Sequence, residues 1–274
     1  MSAAVVWLLV SVAAAQDLNQ ARALYQKTQY EEALKAIGGR KDAEATLLAG
    51  QCYLGLEDYK KAIDVLEKAA GDSESRMWLG RAYGRRAETA MPLLAPRYAS
   101  KARQEFEKAV ELDPKNILAM NDLFEYYLQA PGFLGGGKDK AEALSKRIAA
   151  LNKAEGHWAQ ARLMEDRKDY GGAEKEFRAA AEADAKEVGR VLDVARFLAR
   201  RGRTEESELE FAKAEKMAPG SVKVLWARAE TYVEGKRRLG EARQMLEKYV
   251  KAELTPEDAS RKQARKLLNQ LSTM

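Results

Sequence analysis

The sequence predicts an all-α fold, a solenoid of stacked helical hairpins. Three segments of similar pattern carry a small residue twelve positions before an alanine or serine, and a bulky apolar residue four positions after it. These triplets are Gly50, Ala62 and Leu66; Ala161, Ala173 and Phe177; and Ala195, Ser207 and Phe211. Such repetition is typical of helical repeat arrays, in which each unit buries its apolar face against its neighbours. No alternating polar and apolar run with hairpin-turn signals occurs, so we expect no β-sheet.

Composition and charge fit this fold class. Charged residues make up 32% and hydrophobic residues 46% of the 274 residues, and only six are proline, which favours a folded, helix-rich chain over a disordered one. The 47 basic and 42 acidic residues leave a net charge of +5, with the two signs interleaved along the chain. Nucleic-acid-binding proteins usually concentrate Lys and Arg in a stripe. We therefore expect no nucleic-acid partner.

Residues 1–15 have the pattern of a secretory signal peptide. They contain no charged side chain and end in three alanines before Gln16. An apolar stretch followed by small residues is typical of a cleavable signal, and this one is too short to span a bilayer. No Lys or Arg precedes the apolar stretch, so an uncleaved anchor or a mis-assigned start stays open. We expect a periplasmic or secreted protein without stable membrane insertion after cleavage.

About seven helix pairs are expected across residues 16–274. The small residues that anchor the second helix of each pair are Ala33, Ala62, Ala102, Ala141, Ala173, Ser207 and Ala242. Successive anchors lie 29 to 40 residues apart, with the last three intervals at 32, 34 and 35. Small side chains on both helices allow the two backbones to approach, and the Leu or Phe one turn later fills the space above them.

Insertions near residues 85–101 and 130–140 lengthen the third and fourth pairs. The first contains Pro92 and Pro96, and since proline ends helices, we expect an extended loop between two helices there. After the seventh pair, Thr255 and Pro256 have the pattern of an N-cap followed by a first helical position. The sequence therefore predicts a capping helix over about 256–272.

The repeats resemble the tetratricopeptide repeat family, in its exported bacterial type. The match is clearest in Leu79, Gly80 and Tyr83 of WLGRAY and in Ala102, Phe106, Ala109 and Pro114 of KARQEFEKAVELDPKN. The resemblance extends from about residue 17 to residue 249. It implies a right-handed α-α superhelix with a C-terminal capping helix, whose function is to bind other proteins without catalysis.

In that family the first helix of each pair lines a concave groove, at positions three before, one after and five after its small residue. By resemblance, the candidate partner-binding residues are Arg81, Arg85, Asn121, Glu125, Trp158, Arg162, Arg196, Arg200, Trp226 and Glu230. The same positions include Met77 and Leu192. Arg binds carboxylates through a planar fork, and both Arg and Trp are enriched in binding hot spots.

We therefore expect the groove to bind an extended, partly acidic peptide or a C-terminal carboxylate of a partner, in an envelope or secretion-related assembly. Two alternatives concern these side chains themselves. In the first, Arg162 and Arg196 pair with acids of the groove such as Glu125 and Asp166. In the second, the tryptophans pack between repeats. A self-associating structural component is a further alternative, and the sequence does not determine the oligomeric state.

The glycine-rich segment Gly132–Asp139 matches the start of a phosphate-binding loop, GxxxxGK. Such a loop needs Ser or Thr after the lysine and a strand before the glycines, whereas Asp139 follows Lys138 and the preceding segment is predicted to be helical. A glycine-rich turn between two helices is the favoured interpretation. Nucleotide or phosphate binding is the alternative.

His157 and Cys52 are the only histidine and the only cysteine. Neither has a second ligand at metal-binding spacing, and they belong to different repeats, so we expect no catalytic or metal site and no cofactor. Cys52 is interpreted as a packed side chain and His157 as a packed or partly exposed one, and a lone cysteine cannot form an intramolecular disulfide.

Overall fold

A computed structural model describes residues 18–273, and α-helices joined by short turns account for nearly all of them. These residues form fifteen α-helices and one turn of 3₁₀ helix, and contain no β-strand. The predicted all-α repeat fold is confirmed. The signal-peptide prediction falls on residues 1–15, outside the described part. Over residues 18–273, no helix has both the length and the apolar character needed to cross a bilayer.

The chain divides into two compact units, which meet in sequence between Gly136 and Gly137. Unit 1 contains three helical hairpins, one further helix and the 3₁₀ turn. Its elements are α1 (18–26), α2 (Tyr30–Ile37), α3 (Ala43–Gly55), α4 (Tyr59–Ala69), α5 (Ser73–Thr89), α6 (Ala95–Leu112), α7 (Ile117–Gln129) and the 3₁₀ turn Gly132–Leu134.

Unit 2 begins with a helix that packs against the first full hairpin of the unit and ends with a helix that covers the last one. Its elements are α8 (Lys138–Leu151), α9 (Lys153–Asp166), α10 (Tyr170–Ala183), α11 (Val188–Arg200), α12 (Thr204–Met217), α13 (Val222–Glu234), α14 (Leu239–Lys251) and α15 (Arg261–Leu271). The predicted fourth pair, α7 and α8, falls on the two sides of the unit boundary.

Small residues form the contact between the two helices of a hairpin, a region we call the seam. Every predicted anchor from Ala33 to Ala242 is buried. A Cβ atom added at Gly80 would lie 2.5 Å from the Phe106 ring, and one added at Gly50 would overlap Leu66. Ser207 stands where the other hairpins have alanine, and its buried hydroxyl has a partner because it donates to the Ala195 carbonyl at 2.8 Å. The seam therefore works as the sequence predicted, by close approach at small residues beneath a large apolar side chain.

The tight turns inside the hairpins share one backbone conformation. A residue with positive φ stands near the end of each turn, and the next residue donates its N–H to the carbonyl five positions earlier. The positive-φ residues are Thr28, Glu57, Lys168, Gly202 and Lys236. Only one of these five turns places glycine at this position, although glycine adopts positive φ most easily.

The prediction of an extended loop at 85–101 is wrong. Helix α5 continues to Thr89 and α6 starts at Ala95, so the insertion mostly lengthens the two helices. Pro96 lies in the first turn of α6. Proline is tolerated there because the first backbone N–H groups of a helix have no intrahelical acceptor.

The capping helix also begins later than predicted. Thr255 and Pro256 precede it in a turn, where the Thr255 hydroxyl and amide both donate to Asp258 at 2.8 Å. The N-cap is Ser260, which forms a reciprocal capping box with Gln263. Ala264 and Leu271 of α15 are buried in the cluster that closes the last hairpin.

Candidate functional site

The first helices α9, α11 and α13 of unit 2 are joined by ion pairs between residues one repeat apart. Arg200 donates to both oxygens of Glu165 at 2.9 Å, which links α11 to α9. Arg196 donates to Glu230 at 3.2 Å, which links α11 to α13. We call this surface the unit-2 wall, comprising Trp158, Arg162, Arg196, Arg200, Trp226 and Glu230. The structure thus brings together candidate residues that are 34 or 35 positions from their partners in sequence.

Arg190, near the start of α11, links this helix to the start of α9 beside the wall. Its guanidinium donates to Glu155 of α9 and, at 3.1 Å, to Asp193 of its own helix, and it lies 5.6 Å from the Trp158 ring centroid. One face of Trp158 is therefore covered by a cation. Burial raises the pKa of Asp193, while the charges of Arg190 and Arg196 oppose that rise.

The second tryptophan of the wall has a packing role. Trp226 lies 5.2 Å from the Tyr249 ring and joins the apolar cluster beneath α15. Glu230, one turn further along α13, keeps a raised pKa because it is partly buried, although Arg196 lowers it. The structure thus favours the packing alternative for Trp226.

The arginines of the wall pair with carboxylates, as the first alternative for these residues anticipated. Arg162 contacts Glu165 at 3.4 Å on its own helix. Asp166 pairs with Lys138. The wall is therefore a surface of mixed charge.

The unit-1 candidates lie on α5 and α7, two first helices of consecutive repeats. Arg81 donates to Asp122 at 2.6 Å and stacks 4.7 Å from the Trp78 ring. Burial raises the pKa of Asp122, against the effect of the Arg81 charge. Exposed Arg85 pairs with Glu88 at 3.0 Å on its own helix.

The two α7 candidates precede and follow Asp122 along the helix. Asn121 is adjacent to Asp122 and half-buried, and Glu125 accepts from Gln129 one turn later. Two further groove positions are wrong. Met77 and Leu192 are buried in the core, so the position three before the small residue does not always face the groove.

Unit 1 also has a shallow pocket of about 720 Å³ beside the start of α5. Its lining includes Met77, Trp78, Leu112 and Leu118. Leu112 and Leu118 are more than half exposed, so the pocket is an open apolar depression rather than an enclosed cavity.

Sequence reasoning missed several residues that build the wall. Glu155, Glu165, Arg190 and Asp193 do not fall at the groove positions carried over from the family. One signal was available, since Glu155 and Arg190, like Glu165 and Arg200, are 35 residues apart, which is one repeat.

The glycine-rich segment is a packed turn. Helix α7 precedes it, the 3₁₀ turn Gly132–Leu134 follows, and Gly135 has φ of 85°. A Cβ atom at Gly136 would collide with the carbonyl of Ala130, which explains the glycine. Lys138 opens α8 and forms an ion pair with Asp166 at 2.5 Å. The favoured interpretation of this segment, a turn between two helices, agrees with the structure.

The lone cysteine and histidine are packed as expected. Cys52 is fully buried, and burial raises the pKa of its thiol to about 12. His157 is partly buried, with Nδ1 at 2.7 Å from Glu176. Among residues 18–273, no group of three or more His, Cys, Asp or Glu side chains is placed to hold a metal ion.

Comparison with known proteins identifies the fold. The family model of the anaphase-promoting complex, cyclosome, subunit 3 matches residues 12–69. A thermophilic tetratricopeptide-repeat protein from Thermus thermophilus superposes with a TM-score of 0.54 at 21% identity, covering 72% of this chain and 100% of that one. A tetratricopeptide repeat protein from Parabacteroides merdae gives a TM-score of 0.61 at 12% identity, covering 95% of this chain and 99% of that one.

The chain has the tetratricopeptide-repeat fold. No curated protein matches it. Tetratricopeptide repeats suggest a protein–protein interaction scaffold, and proteins built from them are generally non-catalytic. The likeness to the two solved structures concerns the fold of the repeats and leaves their partners open.

Proposed function

We propose that this tetratricopeptide-repeat protein is a non-catalytic scaffold that holds an extended segment of a partner protein across the unit-2 wall. The observation that carries the proposal is the joining of α9, α11 and α13 by the Arg200–Glu165 and Arg196–Glu230 pairs. These pairs fix the side chains of three consecutive repeats in one surface. A surface ordered before binding lowers the entropic cost of capturing a flexible segment.

The chemistry of α11 favours a carboxylate on the partner. Arg196 and Arg200 are one helical turn apart, and their side chains are 33% and 40% exposed. A guanidinium has five N–H donors, of which Arg196 uses one and Arg200 two in these pairs. The remaining donors suit an acidic side chain or a C-terminal carboxylate, which Arg binds through charge-assisted hydrogen bonds.

The charge of the wall changes from α11 to α13. Glu230 is partly exposed beside Arg196, and Glu234 is exposed one turn further on. A segment that crosses the wall is therefore proposed to place its acidic group over α11 and an uncharged or basic group over α13. Trp158, covered by Arg190, borders this path on α9.

A peptide-binding experiment tests this proposal. Arrayed extended peptides, acidic and neutral, each with a free and an amidated C-terminus, are incubated with the wild type and with the double variant Arg196→Gln, Arg200→Gln. We expect the wild type to select acidic or free-carboxylate peptides, and the variant to lose about tenfold or more in affinity, because hydrogen bonds to a charged group contribute about 1.5–3 kcal/mol.

The matched control is Arg147→Gln with Arg265→Gln, which removes the same charge from two exposed arginines on α8 and α15. It should bind as the wild type does. If the wild type selects no peptide, or if both double variants weaken binding equally, the wall is not the binding surface.

We also propose export to the periplasm or the exterior, and a partner in an envelope or secretion-related assembly. The support for both is the apolar pattern of residues 1–15 alone. Mass spectrometry of the protein purified from fractionated cells tests export, since cleavage after Ala15 predicts a mature chain beginning at Gln16. An intact N-terminus in the cytoplasmic fraction would exclude it.

A further inference from the structure

Four large apolar side chains lie exposed on two connections of unit 1. Met91, Leu93 and Leu94, between α5 and α6, are 69%, 90% and 36% exposed, and Phe133, after α7, is 83% exposed. We call these four residues the apolar tip. Large exposed apolar patches mark surfaces that bind a partner or a membrane, because they cost free energy in water.

The two connections leave unit 1 at the same end. Helix α5 runs antiparallel to α6, since Ser73 at its start donates to the carbonyl of Ala109 near the end of α6. Helix α7 also runs antiparallel to α6, since Tyr127 near its end donates to Glu107, while Asn116 at its start reaches Ser73. Helices α5 and α7 are therefore parallel.

The pair Arg81–Asp122 sets the level of these parallel helices. Eight residues beyond each member, Thr89 and Ala130 stand where the two connections start, each about 12 Å further along at 1.5 Å per residue. The 3₁₀ turn also packs against α6, and Gly135 lies close to the Arg103 side chain. Both parts of the apolar tip thus project from one end of the unit.

Hydrogen bonds hold the connection that contains Phe133 in a defined conformation. Tyr126 donates to the carbonyl of Leu134 at 3.0 Å, and the amide of Gly136 donates to that of Pro131 at 3.3 Å. Phe133 is therefore exposed from a turn whose backbone is ordered by hydrogen bonds.

Basic side chains outnumber acidic ones in the sequence around the apolar tip. Residues 85–101 contain four basic side chains and one acid, Glu88, and residues 130–136 contain no charge. Glu88 pairs with Arg85, and Lys101 reaches Glu67 at 3.8 Å. Arg86 stacks on Tyr98, and neither Arg86 nor Arg97 pairs with a carboxylate among residues 18–273.

We propose that the apolar tip docks on the surface of an anionic lipid bilayer, with Leu93 and Phe133 entering the interface and Arg97 next to the headgroups. Protruding side chains on two turns form no groove for a peptide. A bilayer accepts them without shape complementarity, and apolar burial combined with cationic attraction is what holds proteins at such interfaces. This docking is independent of the unit-2 wall.

Vesicle co-sedimentation of the full chain tests the docking. Vesicles of phosphatidylcholine, with and without phosphatidylglycerol, are titrated against the wild type, Leu93→Ser with Phe133→Ser, and Arg97→Gln. We expect preference for the anionic vesicles, weakened by salt. The double variant should lose about tenfold or more in partitioning, and Arg97→Gln about fivefold, at roughly 1 kcal/mol per surface cation.

Leu209→Ser is the matched control, because Leu209 is a 70% exposed leucine on α12, in unit 2. Its partitioning should equal that of the wild type. Residues 1–17 are the same in every variant, so any binding by them does not affect the comparison. Wild-type binding that is absent, or that the double serine variant leaves unchanged, overturns the proposal.

A second measurement does not depend on the double variant. A polarity-sensitive dye on Leu93→Cys should shift to shorter wavelength with anionic vesicles, and the same dye on Leu209→Cys should not; Cys52 is buried and does not compete. No shift at position 93 overturns the proposal. A mass that rises with protein concentration, is reduced by the double variant and is accompanied by no vesicle binding would assign the apolar tip to self-association instead.

Discussion

The seam and the unit-2 wall are both regular along the chain, yet different forces build them. In the seam, Gly80 under Phe106 and Ser207 against Ala195 bring two backbones together in a buried, apolar contact. In the wall, Arg196 and Arg200 reach acids of neighbouring repeats in a half-exposed, charged contact. The seam fixes the hairpin through a buried contact, whereas the paired charges of the wall stay partly exposed to solvent.

This difference separates the contacts that stabilise a hairpin from the surface proposed to bind a partner. Burial of a phenylalanine side chain contributes several kcal/mol, while an ion pair exposed to solvent contributes about 0–1 kcal/mol. Substitutions in the seam should therefore change folding, and substitutions in the wall should change recognition with little effect on folding.

The largest expected effect comes from removing the side chain that fills the seam. Phe106→Ala and Phe211→Ala should each lower the free energy of unfolding by about 3–5 kcal/mol, because they leave cavities beside small residues that cannot fill them. Arg200→Gln in the wall should cost about 1 kcal/mol or less. Urea unfolding followed by circular dichroism measures all three. Similar losses for Arg200→Gln and Phe211→Ala would remove the distinction between the two regions.

A smaller effect is expected from adding one methyl group to the seam. Gly80→Ala should lower the free energy of unfolding by about 1–3 kcal/mol, because the new Cβ would overlap the Phe106 ring and force it to move. Gly84, one turn later on α5, has no atom within 4 Å of the corresponding position.

Gly84→Ala should therefore raise the free energy of unfolding by about 0.5–1 kcal/mol through helix propensity alone. Thermal unfolding of the two variants gives opposite shifts in Tm. Equal shifts would mean that the close approach at Gly80 does not restrict the hairpin.

The smallest expected effect is on how the free energy of unfolding depends on pH. Charged side chains at the wall should contribute to this dependence, whereas the apolar seam should not. A carboxyl whose pKa is raised in the folded state contributes stability at low pH, and that contribution is lost as the pH rises through the folded pKa. Burial raises the pKa of Asp193, so Asp193→Asn should gain stability relative to the wild type as the pH increases from about 4 to neutral.

Glu174, outside the wall on α10, provides the opposite sign. Hydrogen bonds from Arg203 lower the pKa of this carboxyl, although burial opposes them. Its contribution is therefore present above the unfolded pKa and lost as the pH falls through the folded pKa. Glu174→Gln should cost stability at neutral pH, and that cost should shrink in acid.

Urea unfolding across this pH range measures both differences, with Gly80→Ala as the control that has no titrating group. Parallel slopes for Asp193→Asn and Glu174→Gln would contradict the assigned directions.

The seam could be predicted because its partners are near in sequence and its cause is steric. Twelve residues separate Ala195 from Ser207, and sixteen separate Ala195 from Phe211, so one hairpin contains the whole pattern. The contacts of the wall are harder to predict from the sequence, because Arg200 and Glu165 are 35 residues apart and their contact depends on how successive first helices align.

The two misplaced boundaries have a common origin. A local rule predicts a loop from Pro96 and a first helical position from Pro256, but Pro96 lies inside the first turn of α6 and Pro256 lies ahead of α15. Ser260 with Gln263 satisfies a capping box, and this reciprocal pair determines where α15 begins. A single proline indicates that a boundary is near, whereas a pair of capping residues locates it.

The positive-φ residue in each tight turn is a position where one substitution changes the conformational cost of closing a hairpin. Lys168 and Glu57 hold a conformation that costs a residue with a side chain about 1 kcal/mol, a cost that Gly202 avoids. Exchanging glycine and a residue with a side chain at this one position can therefore change the stability of a single repeat. The ease of local opening can therefore differ from one repeat to the next without any change in the side chains of the unit-2 wall.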